Sequence, residues 1–531
     1  MVWLKKTSHF SVSFVQCLLI FLILVGVNFT LYSHSSSFSN SSSSNSNNSD
    51  SSFPDLNFNF SSYFGGSNLD ESYSVAVDSS GNSYIAGYTS SNDFPIKNSY
   101  NSSFKYTPYY PDAFLAKFNP TGKLLFSTLF GGTNQDYATD IALDNSDNIY
   151  ITGYTGSSDF PTKNAYNSTL GGNLDAFIAK FDSTGNLLFS TLIGGNDFDV
   201  AKAIAINSLG NIFITGNTLS SNFPVLNALD SVKNSNLDCF ISQFNSSGGL
   251  ISSTYFGGND YDQVNSLAID SSNNLLITGQ TDSTDFPGHG SLNISSGIPD
   301  VFVSKFNPTG NLVFTSFLKG NVSQNGYGIA TDILGNFFVT GTTRSSDFSL
   351  LHAYDTKLTS IDNSGFVAKF NSSGSLLFST YTNSSFNSAI AVDTMANCYI
   401  VGLNGFFEQL SSSGGLLYNS NITGSNGRDI VINDKNYIFI TGTTMSTDFP
   451  TKNAFNSTYG GISDGFISKF SFVSTDNQTG TQTDLSSTSS LINNSSSSSS
   501  STTNTPGFTL FSLIIIMIIP LLKRKFIRDK K

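Results

Sequence analysis

Asn57-Phe58-Asn59-Phe60-Ser61-Ser62-Tyr63-Phe64-Gly65-Gly66 is the stretch on which the reading of the fold turns. The same pattern returns at Leu125-Phe126-Ser127-Thr128-Leu129-Phe130-Gly131-Gly132, where it follows a strand-like segment, Asp112 to Phe118, across a tight turn. The first copy has no such partner before it. At the far end the situation is reversed: Asp464 to Phe470 has the partner's pattern, and nothing like Leu125–Gly132 follows before a Ser/Thr-rich tract begins. Two segments lacking complementary partners at opposite ends of a repeat array predict that the ends pair and the array closes on itself.

The array is read outward from there. A strand-ending glycine recurs at Gly87, Gly153, Gly216, Gly279, Gly341, Gly402 and Gly442. An Asp/Gly-x-Phe-apolar-x-Lys-Phe segment recurs at Asp112 to Phe118, Asp175 to Phe181, Asp238 to Phe244, Asp300 to Phe306, Ser364 to Phe370 and Asp464 to Phe470, with a degenerate copy from Asn404 to Leu410. Each unit holds four short strands, A to D. In the second these are Tyr137 to Asp144, Ile149 to Thr155, Asp175 to Phe181 and Leu187 to Ile193. Phe177, Ala179 and Phe181 share one face and Ile178 and Lys180 the other, the two-residue period of a strand. The A–B link Asn145-Ser146-Asp147-Asn148 and the C–D link Ser183-Thr184-Gly185-Asn186 carry the residues that tolerate positive φ in tight turns. A lone four-stranded sheet leaves two faces bare, and stacking such sheets around an axis buries both. The prediction is an all-β, seven-bladed β-propeller of four-stranded antiparallel blades, its ring closed by an N-terminal strand that completes the last blade. An open solenoid would need polar capping repeats, and the sequence shows none.

Tyr63-Phe64-Gly65-Gly66, Val75-Ala76-Val77-Asp78-Ser79-Ser80-Gly81-Asn82, Ser91-Asn92-Asp93-Phe94-Pro95 and Asp112-Ala113-Phe114-Leu115-Ala116-Lys117-Phe118, in this order, resemble the SBBP-type β-propeller repeat of bacterial and archaeal secreted and surface proteins. The resemblance runs from residue 56 to about 472. It implies a propeller and attaches no shared activity. The sixth copy departs from it, lacking the long B–C insertion and the Asp-Phe-Pro element, and the fifth reads Asp347-Phe348-Ser349.

The chain carries 25 Lys+Arg against 37 Asp+Glu, a balance that argues against nucleic-acid partners, whose phosphates call for a basic patch. Residues 1–31 combine Lys5 and Lys6 with an apolar run and predict a signal peptide or signal anchor. Residues 32–54, rich in Ser and Asn, predict disorder. The propeller occupies 55–473, a Ser/Thr-rich stalk 474–505, and residues 506–531 a C-terminal transmembrane helix or sorting signal with a basic tail. Pro506-Gly507-Phe508, the apolar run to Leu522 and the basic end resemble a PGF-type archaeal sorting signal. Together the ends predict a cell-surface protein, its extracellular domain anchored to the cell membrane through the C-terminal helix. Exported Asn-x-Ser/Thr sequons at Asn101, Asn167, Asn245, Asn293, Asn371 and Asn456 are candidates for glycosylation. Cys239 and Cys398 lie in distant repeats and read as small buried residues, not a disulfide.

Catalytic sets are thin. His289 and His352 stand in different repeats without zinc spacing, and no nucleophile elbow is present. The D–A links carry Asp70, Asp136, Asp197, Asp199, Asp260 and Asp262. Gathered around one mouth they would hold calcium or sugar hydroxyls; as turn residues they would only shape the links, the reading the sequence favours. No cofactor is expected, with calcium the one ion considered. Asp93, Asp159, Asp285 and Asp448 of the Asp-Phe-Pro elements, and the aspartates opening strand C, repeat too regularly to mark a single active site. The expected role is a membrane-tethered extracellular module for binding or adhesion, or a structural part of the envelope, working through its long-loop face on a glycan or a surface-layer protein. The alternative is an extracellular polysaccharide hydrolase or lyase.

Overall fold

The alternating repeats fold into seven four-stranded antiparallel sheets, each in the order A-B-C-D from the axis outward. The computed structural model describes residues 56–100, 110–288, 298–360 and 362–472. Blades 1 to 6 are continuous in sequence. Their A strands are Asp70–Val77, Asp136–Leu143, Asp199–Ile206, Asp262–Ile269, Gln324–Thr331 and Asn387–Val392. Blade 7 takes strands A to C from Ser425–Ile432, Ile438–Thr444 and Asp464–Phe472 and its strand D from the other end of the chain, Leu56–Phe64. The register runs from Leu56 opposite Phe472 to Phe64 opposite Gly465. The two unpartnered segments of the sequence therefore do pair and shut the ring. Phe60, Tyr63 and Phe64 of this clasp are buried, and Phe64 meets Phe94, Phe114 and Phe118 of blade 1 at ring-centroid distances of 5.0, 5.7 and 5.2 Å.

The core lies between blades. The Phe of each Asp-Phe element packs on the central Phe of strand C: Phe94 on Phe114, Phe160 on Phe177, Phe223 on Phe240, Phe286 on Phe302, Phe348 on Phe366 and Phe449 on Phe466, with centroids 4.6 to 4.9 Å apart. Burying each such ring contributes about 1.5–3 kcal/mol. The preceding Asp reaches farther than its own turn. Asp93 Oδ1 accepts the amide and hydroxyl of Ser67, Asp159 those of Thr133, and Asp285 the amide of Asn259, tying the B–C segment to the D–A link.

Among the described residues, the long B–C segments of blades 1, 2, 3, 5 and 7 do not simply project from the disc. They fold back along strand D of their own blade, with backbone bridges Lys97–Ser127, Lys163–Ser190, Leu226–Ser253, Leu351–Ser379 and Lys452–Ser61. Their length serves to cover the outer sheet edge, which would otherwise present unpaired amides and carbonyls. A left-handed residue makes the turn in five of them: Asn98, Asn164, Asn227, His352 and Asn453, with φ of 46 to 49°. Blade 6 replaces this segment with a single 3-10 turn, Leu403–Gly405, before a shortened strand C, Phe406–Leu410.

Cys239 and Cys398 are buried free thiols. Among the described residues no helix is long and apolar enough to cross a membrane. The two apolar ends, the Ser/Asn tract, the stalk, Asn101, His289 and Asn293 lie outside those residues.

Candidate functional site

The seven landmark glycines of strand B share one cause. A Cβ on Gly87 would overlap the carbonyl oxygen of Glu71; the same holds for Gly153 with Tyr137, Gly216 with Val200, Gly279 with Gln263, Gly341 with Asn325, Gly402 with Phe386 and Gly442 with Asn426. Each of those carbonyls precedes a β-bulge in strand A, between Ser72 and Ser74 in blade 1 and at the equivalent place in every other blade. A bulge inserts one residue and re-aims it. The inserted residues are Tyr73, Thr139, Lys202, Asn265, Tyr327, Ser388 and Arg428, and all seven line one axial channel with a cavity of ≈ 290 Å³. Unlike the glycines, these residues differ from blade to blade.

The channel wall is polar and unevenly charged. Ser74 Oγ stands 2.7 Å from Asp140 Oδ1 and 2.7 Å from Asp429 Oδ2. One hydroxyl proton cannot serve both contacts, so the second needs a proton on a carboxyl. Depth in the protein, followed by the charge of Asp429, pushes Asp140 up to about 7, and burial raises Asp429. Both carboxylates also staple blades together: Asp140 accepts the Ile204 amide of blade 3 and Asp429 the Val75 amide of blade 1, at 2.7 and 2.9 Å. With Ile141 and Ile430 donating as well, every carboxylate oxygen of the pair is engaged. Arg428 pairs with Glu71 at 3.5 Å and lies 5.4 Å over the Tyr73 ring, the first of a run of tyrosines continuing through Tyr88, Tyr137 and Tyr154. Lys202 has no hydrogen bond or ion pair among the described residues, and desolvation lowers its amine to about 8.

The six acidic candidates do not meet in this mouth. Asp70, Asp136, Asp199 and Asp262 are the first residues of their A strands and are fully buried. Each accepts a glycine amide and a serine hydroxyl: Gly66 and Ser91, Gly132 and Ser157, Gly195 and Ser220, Gly258 and Ser283, at 2.6 to 2.9 Å. Each also faces the aspartate opening strand C of the preceding blade: Asp464 with Asp70 and Asp112 with Asp136 crowd Gly65 and Gly131, and Asp175 and Asp238 repel Asp199 and Asp262. Burial, the main cause, pushes Asp136, Asp199 and Asp262 up to about 7 and Asp175 and Asp464 to about 6. Asp197 and Asp260 stay at the surface of the D–A links, their amides donating to Ser220 and Ser283. Among the described residues no three His, Cys, Asp or Glu side chains come together as a metal group. Asn245 and Asn371 organise C–D turns through Oδ1, while Asn167 and Asn456 lie on the edge-covering B–C segments.

Residues 59–95, 125–161, 188–224 and 253–287 match the family model of the SBBP β-propeller repeat. Four SBBP repeats lie within this propeller. Each match starts in or beside strand D of one blade and ends at or near the proline after the Asp-Phe element of the next, except that in the third the Asp is Asn222. The SBBP unit is therefore offset from the blade by one strand, and the clasp is the consequence. The chain is 24% identical over 408 residues, 63% of its length, to an uncharacterized WD repeat-containing protein of Acanthamoeba polyphaga mimivirus. It is 24% identical over 194 residues, 36% of its length, to the regulatory protein FlaEY of Caulobacter vibrioides. It spans 29% and 20% of those relatives. Hydrazine synthase of Kuenenia stuttgartiensis superposes with a TM-score of 0.43 at 11% identity, over 71% of this chain and 93% of that one.

The bulge ring escaped the sequence reading. Its trace in the sequence is a break in alternation: strand A runs Ser72-Tyr73-Ser74-Val75-Ala76-Val77, and the two-residue period holds only from Ser74 onward.

Proposed function

We propose that this SBBP-repeat propeller is a binding module, tethered to the cell membrane and facing outward, that recognises a glycan or a surface-layer component at the mouth of its axial channel. The observation that supports this reading is the bulge ring. At one backbone position repeated seven times, the chain carries seven polar side chains of which only tyrosine occurs twice. A position that served only the architecture would repeat its residue, as the strand B glycines do. The free Lys202 amine favours a ligand bearing a carboxylate or other negative group, and Tyr73 and Tyr327 offer ring faces to a sugar. The outward, anchored setting rests on the apolar and basic terminal segments of the sequence. Adhesion or envelope assembly is the corresponding role in the cell.

Asp140 and Asp429, close together beside tyrosines, are what a polysaccharide hydrolase or lyase would also require. Their oxygens are all engaged by amides and Ser74, which supports the binding reading over catalysis. A glycan array probed with the full chain, with and without calcium, tests the proposal. Binding to acidic glycans that Lys202→Met abolishes is expected. Release of new reducing ends from a bound polysaccharide would move the protein to the enzyme class, and absence of any binding would leave an envelope-structural role.

A further inference from the structure

Blade 3 departs from most of its sister blades at three positions, and the three meet in space. On strand D, Phe60, Phe126, Phe189, Phe314 and Phe378 occupy one equivalent place, each packed against the C–D turn glycine of the next blade, and blade 6 has Tyr418 there. Blade 3 has Ser252, and a Cβ on the corresponding Gly310 would meet nothing within 4 Å. On the B–C segment, Tyr100, Tyr166 and Phe455 bring their rings to 6.3 Å from Phe181, Phe244 and Phe118 of the following blade. Blade 3 has Leu229, opposite Phe306. On strand C, the Nζ groups of Lys117, Lys305, Lys369 and Lys469 reach carbonyls in the next C–D turn at 3.0 to 3.2 Å. Blade 3 has Gln243.

Ser252, Leu229 and Gln243 line a single cavity of ≈ 430 Å³ between blades 3 and 4, with Phe213, Leu275 and Phe306 on its walls. An apolar cavity of roughly 150 Å³ already accepts a benzene ring. The walls also carry polar groups, among them Asn211, Gln243, Thr254 and Asn311. Leu229 of the lining is 48% exposed, and Val225, Leu226 and Val232 on the same B–C segment are 39, 41 and 60% exposed. At the place of Leu226, blades 1, 2 and 7 carry Lys97, Lys163 and Lys452.

We propose that this joint is a docking socket for a phenylalanine side chain of a partner protein, which supplies the ring that blade 3 omits. The sister joints show what fits: five of them are filled by the chain's own phenylalanine at this place. Along the B–C segment the exposed apolar residues continue on both sides of Leu229, farther than a lone ring would cover, which points to a polypeptide with apolar residues flanking the ring and not to a free aromatic metabolite. This inference does not rest on the channel.

The test uses the full chain, with saturation-transfer NMR and calorimetry against N-acetyl-phenylalanine amide, N-acetyl-alanine amide and a capped Ser-Val-Phe-Val-Ser peptide. Binding of the phenylalanine amide but not the alanine amide is expected, with the peptide at least tenfold tighter. Ser252→Phe should raise the unfolding temperature and weaken ring binding at least tenfold. Leu229→Tyr provides the same test should the first variant not fold. Ring binding that survives both substitutions, or no ring binding to the unaltered chain, overturns the socket. Equal affinity of peptide and amide overturns the protein partner.

Discussion

The joints between blades and the wall of the axial channel are built from the same strands, yet they obey opposite rules. At four of the joints one solution is repeated: an aspartate opens strand A, a glycine amide and a serine hydroxyl satisfy it, and a second aspartate leans in from the blade before. In the channel the bulge presents a different side chain in nearly every blade. A contact made between each blade and the next is met by the same residues in four blades, and the strand B glycine beneath it in all seven. A surface formed only once, by all seven blades together, carries no such constraint. Repetition within one chain thus separates architecture from recognition.

That contrast can be broken most forcefully at the clasp, the one joint whose blade is assembled from both ends of the chain. Phe64→Ala removes a fully buried ring and is expected to destabilise the propeller by about 3–5 kcal/mol. Denaturant titration reads this, and an effect below that of Phe130→Ala would show that the clasp is not where closure is decided. Next in size, Gly153→Ala drives a methyl into the Tyr137 carbonyl and should cost about 3 kcal/mol, seen as a fall in unfolding temperature. A neutral result would mean that the bulge is not what fixes the landmark glycines.

The third effect is a pH dependence. Asp136, Asp199 and Asp262 titrate near 7 in the folded state and near 4 when unfolded, so the folded state holds more protons between these values. Their contribution to stability is complete below about pH 4, the unfolded value, and is lost as pH rises toward about 7, with each unit of pKa rise worth about 1.4 kcal/mol. Carboxylates held low by turn amides, such as Asp182 at about 2, act in the opposite sense and lose their contribution only in stronger acid. Unfolding temperature should therefore fall from pH 5 to pH 7.5. Asp199→Asn should flatten that fall without unfolding the protein, since Asn387 already opens strand A in blade 6. A profile that rises over this range would contradict the buried joint acids. Smallest of all, Lys202→Met should leave stability within about 1 kcal/mol, because the amine has no partner to lose. A large destabilisation would place Lys202 with the architecture.

Much of this was legible in residue order. The strand B, C and D limits of blade 2 coincide with those expected, because period-two alternation bounded by Asn, Asp and Gly turns leaves little freedom. The clasp was legible because Asn57–Phe64 copies strand D without a strand C before it. The joint aspartates were visible as a repeat, but not their pairing: Asp175 and Asp199 become neighbours only when one blade stacks on the next. Nor was the role of the B–C segments, since covering an edge and projecting from a face call for similar polar sequences. The channel ring was hidden because a bulge is a one-residue slip, which reads in sequence as imperfect alternation.

The sequence by itself determined the local choices: which residues alternate, where chains turn, how many blades form and which strand is missing from the last. These are set by contacts between residues near in the chain or identical in every repeat. Closing the circle decided the rest. It brought seven bulge residues from across the ring into one channel and placed Ser252, Leu229 and Gln243 around one cavity. Distances between blades depend on the packing of whole sheets, and no short-range pattern in the chain encodes them.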